Sequence, residues 1–230
     1  MANRLKQMGE SNAWHLMVRG ATMGAEQAGY SLKRQPGRGL SNTYEVSKDG
    51  KTKIASVRTT RDRWVAFPPL EKGTRWKTLD DVELVVVSAV DSRENPQNVD
   101  VYLFPADDVR KRFGASYAAR IKQGRVIRDD YPMWLMLDKG DNEVASQIGH
   151  SLALDYPAIA RFSIDELERE AASGSGDQIA GAPVEPLDVA APVEDDLLTI
   201  ADVLAFARKK IAVLSGLPSD AINLDLKMGL

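Results

Sequence analysis

Residues 82–90, VELVVVSAV, are the most apolar stretch of this sequence and decide its fold class. Glu83 and Ser88 are the two polar residues among the nine. A nearly unbroken apolar run of this length is typical of a central strand that is covered on both faces. We therefore expect an α/β domain in which this strand lies at the middle of a mixed sheet.

The segments on either side extend the same prediction. Residues 99–104 (VDVYLF) predict a neighbouring strand, and Pro105 then opens a helix whose first turn is acidic and whose next residues are basic. Upstream, the Asp49-Gly50 pair predicts a hairpin turn between a strand at residues 43–46 and a strand at residues 53–59. A short third strand is expected at residues 63–67.

Three further elements complete the first 170 residues. Apolar residues recur at helical spacing from Trp14 to Ala28 and predict a first helix that stops at Gly29. Residues 133–137 predict an edge strand, and residues 142–154 predict a helix. Ser163 and Glu166 have the spacing of a capping box and predict the start of another helix.

The C-terminal quarter has a different composition. Residues 171–196 are rich in Ala, Gly, Pro and acid, contain no Lys or Arg, and predict a flexible acidic linker after a domain at residues 1–170. Residues 197–230 predict a small module of one helix, capped by Thr199, and one strand. This module is too small to bury both apolar faces alone, so we expect it to dock on the main domain, on a second copy or on a protein partner.

Charge is distributed unevenly along the 230 residues. The formal net charge is −3, yet residues 31–79 hold twelve Lys or Arg and four Asp or Glu, while residues 171–230 hold four basic and nine acidic residues. This asymmetry is compatible with a polyanion partner. The absence of cysteine excludes disulfides, thiolate metal sites and cysteine nucleophiles. With no apolar run of roughly 20 residues and no signal-peptide pattern, we expect a cytoplasmic protein that binds no membrane.

The basic segment supplies candidate nucleic-acid-binding residues. Trp64 and Trp76 lie among them and could stack on bases or simply pack. The alternative is a charged, solvated sheet edge, since edge strands use lysine to prevent aggregation. The candidates are Arg34, Arg38, Lys51, Lys53, Arg58, Arg61, Arg63, Arg75 and Lys77.

Element order and three short phrases give this chain a resemblance to a known superfamily. The phrases are IASVRTT (residues 54–60), DVELVVVSAV (81–90) and DVYLFPADDV (100–109). Together with the helix that precedes them, they resemble the Mrr-like and Holliday-junction-resolvase-like members of the PD-(D/E)xK nucleases over roughly residues 14–113. The resemblance implies a restriction-endonuclease-like fold, with a mixed central sheet flanked by helices.

The catalytic positions of the superfamily are altered here. In the family, an acid on one strand and an acid in a (D/E)xK tripeptide bind Mg²⁺, and the lysine orients the nucleophile. Carried over by position, Glu45 falls near the first acid, Ser56 on the second and Arg58 on the lysine, and Glu26 resembles an accessory acid of some members. A serine hydroxyl is a poor Mg²⁺ ligand, and arginine stays protonated, so the resemblance implies a degenerate motif.

We therefore expect a nucleic-acid-binding protein, with DNA favoured, on a nuclease scaffold without cleavage activity. Such a pseudoenzyme would suit a bacterial or phage DNA-processing or defence system. No catalytic residue, metal or cofactor is expected. The alternatives are a partner-binding or assembly protein that acts through residues 197–230, and an active Mg²⁺-dependent nuclease whose acids, Glu26 and Glu45 among them, have migrated. His15 and His150 lack metal-ligand spacing and are expected to be ordinary surface or core histidines.

Overall fold

The computed structural model describes residues 4–35, 43–140 and 144–173. Arg38, the C-terminal module and all but the first three residues of the expected linker therefore lie outside the described residues. Those three residues, 171–173, belong to the last turn of a helix. The helices are α1 Arg4–Gln7, α2 Glu10–Gln27, α3 Ala106–Lys122, α4 Leu152–Asp155 and α5 Ile164–Ser173, with two short 3-10 helices at Glu71–Gly73 and Leu79–Asp81.

The described strands form one large sheet and two small ones. The large sheet has six strands in the order β1-β2-β3-β7-β8-β10, and the small sheets pair β4 with β9 and β5 with β6. Within the large sheet, β3 and β7 are parallel and every other neighbouring pair is antiparallel. The strands are β1 Ser31–Arg34, β2 Thr43–Lys48, β3 Lys51–Thr60, β4 Trp64–Phe67, β5 Pro69–Leu70, β6 Arg75–Trp76, β7 Leu84–Val90, β8 Asn98–Pro105, β9 Met133–Met136 and β10 Ala160–Ser163.

The long apolar run forms β7, as predicted. All seven residues of β7 are buried, and the strand lies between β3 and β8 inside the six-stranded sheet. Because side chains alternate along a strand, Val86 and Val90 pack in one core while Val85 and Val87 pack in the other. The prediction of a mixed α/β domain with this strand at its centre is confirmed.

The two cores lie on opposite faces of the sheet. On one face, hereafter the α2 face, apolar residues of α2 and α5 pack on the strands. On the other face, hereafter the α3 face, α3 and the β4–β9 pair cover β7 and β8. The approach of α2 is very close at Gly24, where an added Cβ would lie 2.8 Å from atoms of the Val101 side chain.

Local signals in the sequence fix several boundaries correctly. The Asp49-Gly50 turn joins β2 to β3, and both residues have positive φ, 52° and 73°, as a two-residue type I′ hairpin requires. At the start of α5, the Ser163 hydroxyl accepts a hydrogen bond from the Glu166 backbone N–H at 3.1 Å. The expected edge strand forms β9, whose described strand partner is β4.

The helix expected over residues 142–154 is wrong for its described part. Residues 144–151 form turns, and the helical residues are confined to α4. The backbone explains the difference, because Gly149 and Ser151 have φ values of 86° and 77°, which an α-helix cannot contain. Gly149 also lies against the Arg112 carbonyl oxygen, 2.5 Å from where a Cβ would stand, so this segment packs closely on α3.

No helix within the described ranges is both long enough and apolar enough to cross a membrane.

Candidate functional site

The strand register places the three nuclease-like positions on one face of the sheet. Thr43 of β2 lies opposite Ser56 of β3, and Glu45 lies opposite Ile54. Residues directly opposite each other share a face, as do alternate residues along a strand. Because Ile54 packs against the core of the α3 face, Glu45, Ser56 and Arg58 all belong to that face.

Ser56 is completely buried at the position of the family's second acid. Its exposed fraction is 0%, and its Oγ has no hydrogen-bond partner among the described residues. Thr43 of β2 and Val85 of β7 are its neighbours across the sheet. A neutral hydroxyl in this position can neither bind Mg²⁺ strongly nor balance a nearby positive charge.

Arg58 is a partly buried cation, and no acid among the described residues contacts it. Its guanidinium carbon lies 4.7 Å from the centre of the Phe67 ring in β4, and its Nε is buried without a hydrogen-bond partner in the described part of the chain. Burial lowers the pKa of Arg58 to about 10, so the side chain still carries its charge at neutral pH. A desolvated charge is costly unless it is paired, which makes Arg58 a candidate anion-binding group.

The two candidate acids lie on opposite sides of the sheet. Glu45 is partly buried, accepts a hydrogen bond from Gln35 Nε2 at 3.2 Å and lies opposite Lys33 of β1. Glu26 is exposed on α2, the helix that covers the other face. The sheet therefore separates Glu26 from Glu45, and the two carboxylates cannot share a metal ion.

The described residues do not offer a set of ligands that suits a metal. Among residues 4–35, 43–140 and 144–173, no three histidine, aspartate or glutamate side chains are grouped so that they could hold a metal ion. At the position of the family's second acid, Ser56 offers a neutral hydroxyl, which is a poor ligand for a catalytic Mg²⁺.

The predicted basic residues do not form one continuous surface. Lys51 and Lys53 are exposed and alternate with Ala55, so they share the α2 face and point away from the side of Arg58. Arg34 also lies on the α2 face, opposite Tyr44, where burial raises the pKa of the tyrosine and the charge of Arg34 partly offsets this.

Four of the predicted basic residues form ion pairs with acids. Arg61 lies 3.9 Å from Glu10, Arg75 lies 3.3 Å from Glu71 and 3.7 Å from Asp80, and Lys77 lies 2.7 Å from Asp130. Arg63 is the most extensively bonded of the four. These pairs leave Arg34, Lys51, Lys53 and Arg58 as the described members of the predicted set with no acid in contact.

Arg63 joins the large sheet to the β4–β9 pair. Its guanidinium donates to Asp138 at 2.7–3.0 Å, to the Val90 carbonyl at 2.7 Å and to the Tyr102 hydroxyl at 2.9 Å, and it lies 3.5 Å from Asp100. Burial lowers the pKa of Arg63, but the hydrogen bonds to Asp138 and Tyr102 outweigh that effect and leave the pKa above its ordinary value. These contacts give Arg63 a structural role that the sequence did not reveal.

The sequence also did not reveal that Phe67 covers Arg58. Residues 64–67, WVAF, alternate in burial along β4, and Val65 and Phe67 point into the core of the α3 face. This alternation is a recognisable signal, but the partner of a strand cannot be identified from periodicity alone.

Comparison with known proteins gives no further assignment. The chain matches no protein-family model, and neither the search of curated proteins nor the search of solved structures finds a match.

Proposed function

We propose that this chain binds nucleic acid through the phosphate backbone, on a restriction-endonuclease-like scaffold that has lost the chemistry of cleavage. The observation that carries the proposal is Arg58, a partly buried cation whose Nε is buried without a hydrogen-bond partner and which contacts no acid among the described residues, on the same sheet face as Glu45. A phosphate would supply the missing negative charge, and an arginine can hold it through two parallel hydrogen bonds. DNA in the cytoplasm is the favoured ligand.

The topology of the large sheet supports the proposed scaffold. A long helix, α2, precedes three antiparallel strands, β1 to β3, and the buried strand β7 then pairs in parallel with β3. This is the order of elements on which the resemblance to PD-(D/E)xK nucleases rests. The register also places Glu45 and Ser56 near each other on adjacent strands, as the family's two acids would be.

The same residues argue against cleavage. Ser56 offers a neutral, buried oxygen where the family has a carboxylate. Arg58, with its pKa at about 10, remains protonated and cannot act as a base at neutral pH. Of the two candidate acids, Glu45 alone lies on this face, because Glu26 belongs to the helix that covers the other face. We expect no Mg²⁺- or Mn²⁺-dependent degradation of DNA or RNA by the purified chain. Degradation that disappears in Glu45→Ala would instead establish an active nuclease.

A second candidate function is supported by the ion pairs. Arg61, Arg63, Arg75 and Lys77 are held by acids of the domain, which reduces the charge that this part of the chain can offer to a polyanion. A partner-binding or assembly protein needs no basic face. In that case residues 197–230, which lie outside the described residues, would make the contact.

The decisive experiment measures how the binding of nucleic acid depends on salt. Fluorescence anisotropy with labelled duplex DNA, single-stranded DNA and RNA is recorded from about 50 to 200 mM salt, with Mg²⁺ and with EDTA. Arg58→Met should weaken binding and make its salt dependence shallower, because one phosphate contact is lost. Lys111→Met is the matched control, since it removes one exposed cation of α3 and should leave binding nearly unchanged. Absence of binding by the wild-type chain to all three ligands would favour the assembly protein.

A further inference from the structure

A second cationic surface follows the C-terminal end of α3. Lys122 is the last residue of the helix, and Gly124, with a φ of 77°, turns the chain away from it. Lys122, Arg125 and Arg128 are exposed, and none of them contacts an acid in the described part of the chain. Arg125 also lowers the pKa of Arg120, in addition to the larger effect of burial, so positive charges stand close together here. We call Lys122, Arg125, Arg128, Tyr131 and Trp134 the basic–aromatic surface.

Two aromatic residues, Tyr131 and Trp134, follow Arg128 by three and six positions along the chain. Tyr131 is 49% exposed, and its ring meets the ring of Trp134 edge to face, with 6.0 Å between the centres. Trp134 lies in β9, is partly exposed and is held at its carbonyl oxygen by Arg120 at 3.2 Å. This hydrogen bond places the backbone of Trp134 beside Arg120, the arginine whose pKa burial and the charge of Arg125 both lower, so the aromatic pair lies in the same region as the cations.

The basic–aromatic surface is connected to Arg58 through the β4–β9 pair. Phe67, the residue over which the Arg58 guanidinium lies, is directly opposite Met133 at the start of β9. Tyr131 precedes Met133 by two residues, which is about 7 Å of extended chain. Arg58 lies on the core side of this pair, toward which Phe67 and Met133 point, and Trp134 alternates with Met133 along β9.

Three kinds of ligand could bind a surface of this composition: a single-stranded nucleic acid, a duplex and an anionic membrane. Exposed cations suit any polyanion, whereas exposed aromatic rings beside them suit unpaired bases, which can stack on a ring. The bases of a duplex are already stacked on one another. The apolar side chains of Val126 and Ile121 are also exposed, 90% and 44%, and could insert into an anionic membrane. However, Val126 lies in the irregular segment after α3 and not on an apolar helical stripe, which membrane-surface helices require.

We propose that the basic–aromatic surface binds single-stranded nucleic acid, with Lys122, Arg125 and Arg128 contacting phosphates and Tyr131 and Trp134 stacking on bases. The inference rests on the proposed function and narrows its ligand to a single strand.

The test compares charge reversals that change the net charge by the same amount. Binding of a labelled oligo(dT), of a duplex of the same length and of phosphatidylglycerol vesicles is measured for the full chain. The surface variant is Lys122→Glu/Arg125→Glu. The control is Lys111→Glu/Lys139→Glu, which reverses two exposed cations elsewhere in the described part of the chain.

We expect the surface variant to bind oligo(dT) at least about tenfold more weakly, with a slope of log affinity against log salt that is shallower by about 1.4 for two lost phosphate contacts. The control should retain most of the affinity. Tyr131→Ala should weaken binding about tenfold, while Tyr131→Phe, which keeps the ring, should bind like the wild type. The wild type should prefer oligo(dT) to the duplex.

Each other outcome has a distinct meaning. If the wild type binds no nucleic acid, the proposed function fails and this inference fails with it. If Arg58→Met weakens binding but the surface variant does not, the proposed function stands and this inference is wrong. Equal losses in the surface variant and the control would show a general charge effect and would overturn the assignment. Binding of vesicles but not of oligo(dT), abolished in the surface variant, would replace the nucleic acid with a membrane.

Discussion

Replacing Arg58 with methionine should stabilise the fold while weakening nucleic-acid binding. Methionine keeps an unbranched side chain of similar reach and removes the charge. The fall in the pKa of Arg58 to about 10 corresponds, at 1.36 kcal/mol per pKa unit, to about 3 kcal/mol of cost for holding the charge in the fold. The contact with the Phe67 ring offsets about 1 kcal/mol of this cost. We therefore expect Arg58→Met to raise the free energy of unfolding by about 2 kcal/mol.

The matched control is Arg63→Met, five residues further along the chain. Arg63 bonds Asp138 and contacts the buried Asp100, whose side chain is 5% exposed. Removing its charge leaves Asp138 without its cation and Asp100 with Arg161 as its cation, so the free energy of unfolding should fall by about 2 kcal/mol. The two substitutions are chemically identical and are expected to have opposite signs.

Urea unfolding followed by tryptophan fluorescence measures both effects, and anisotropy with labelled DNA measures binding of the same samples. Arg58→Lys is a further variant, because it keeps the charge but loses the planar fork that holds a phosphate. It should bind more weakly than the wild type without the gain in stability. The reasoning is refuted if Arg58→Met lowers stability by more than about 1 kcal/mol, or if it leaves binding unchanged.

Two further predictions concern packing and pH. Gly24→Ala should destabilise the protein by about 1–3 kcal/mol in urea unfolding, because the new methyl would meet Val101 at 2.8 Å. Gly114→Ala in α3 is the control: a Cβ there meets no atom within 4 Å, so this change should stabilise the protein by up to about 1 kcal/mol. Burial lowers the pKa of His150, so the unfolded chain binds a proton more readily than the fold does, and stability should fall as the pH drops below about 6.5. His150→Gln should show a smaller loss of melting temperature between pH 7.5 and 5.0 than the wild type, and equal losses in the two proteins would contradict the assignment.

The parts of the fold that could be predicted are those set by neighbours in the sequence. The apolar run at residues 84–90 requires cover on both faces, and Asp49-Gly50 fits the positive φ values of the turn. The turns at residues 144–151 could not be predicted, because the apolar spacing there is helical and the conformation depends on Gly149 packing against Arg112 of α3. Contacts between distant parts of the chain outweighed the local pattern.

The sequence indicated which residues could belong to the candidate site, but not which of them the fold brings together. Lys51 and Lys53 share a face of β3, but that face is the opposite one to Arg58. The acids that hold Arg63 and Lys77 are 75 and 53 residues away along the chain, so no local count of charge could have found them. A basic segment therefore overstates the charge that a folded surface presents, because the fold brings acids to it from elsewhere.

Arg58 and Arg63 illustrate how placement decides the meaning of a residue. Both lie in the same basic segment, and the guanidinium of each lies over an aromatic ring, Phe67 for Arg58 and Tyr102 for Arg63. Burial lowers the pKa of both arginines, but hydrogen bonds to Asp138 and Tyr102 leave the pKa of Arg63 above its ordinary value, whereas no described acid reaches Arg58. Since a charge that the fold leaves unpaired reduces stability, its retention is best explained by a ligand that pairs with it. The changes in the free energy of unfolding that we expect for Arg58→Met and Arg63→Met have opposite signs, and measuring them therefore tests the proposed function as well as the fold.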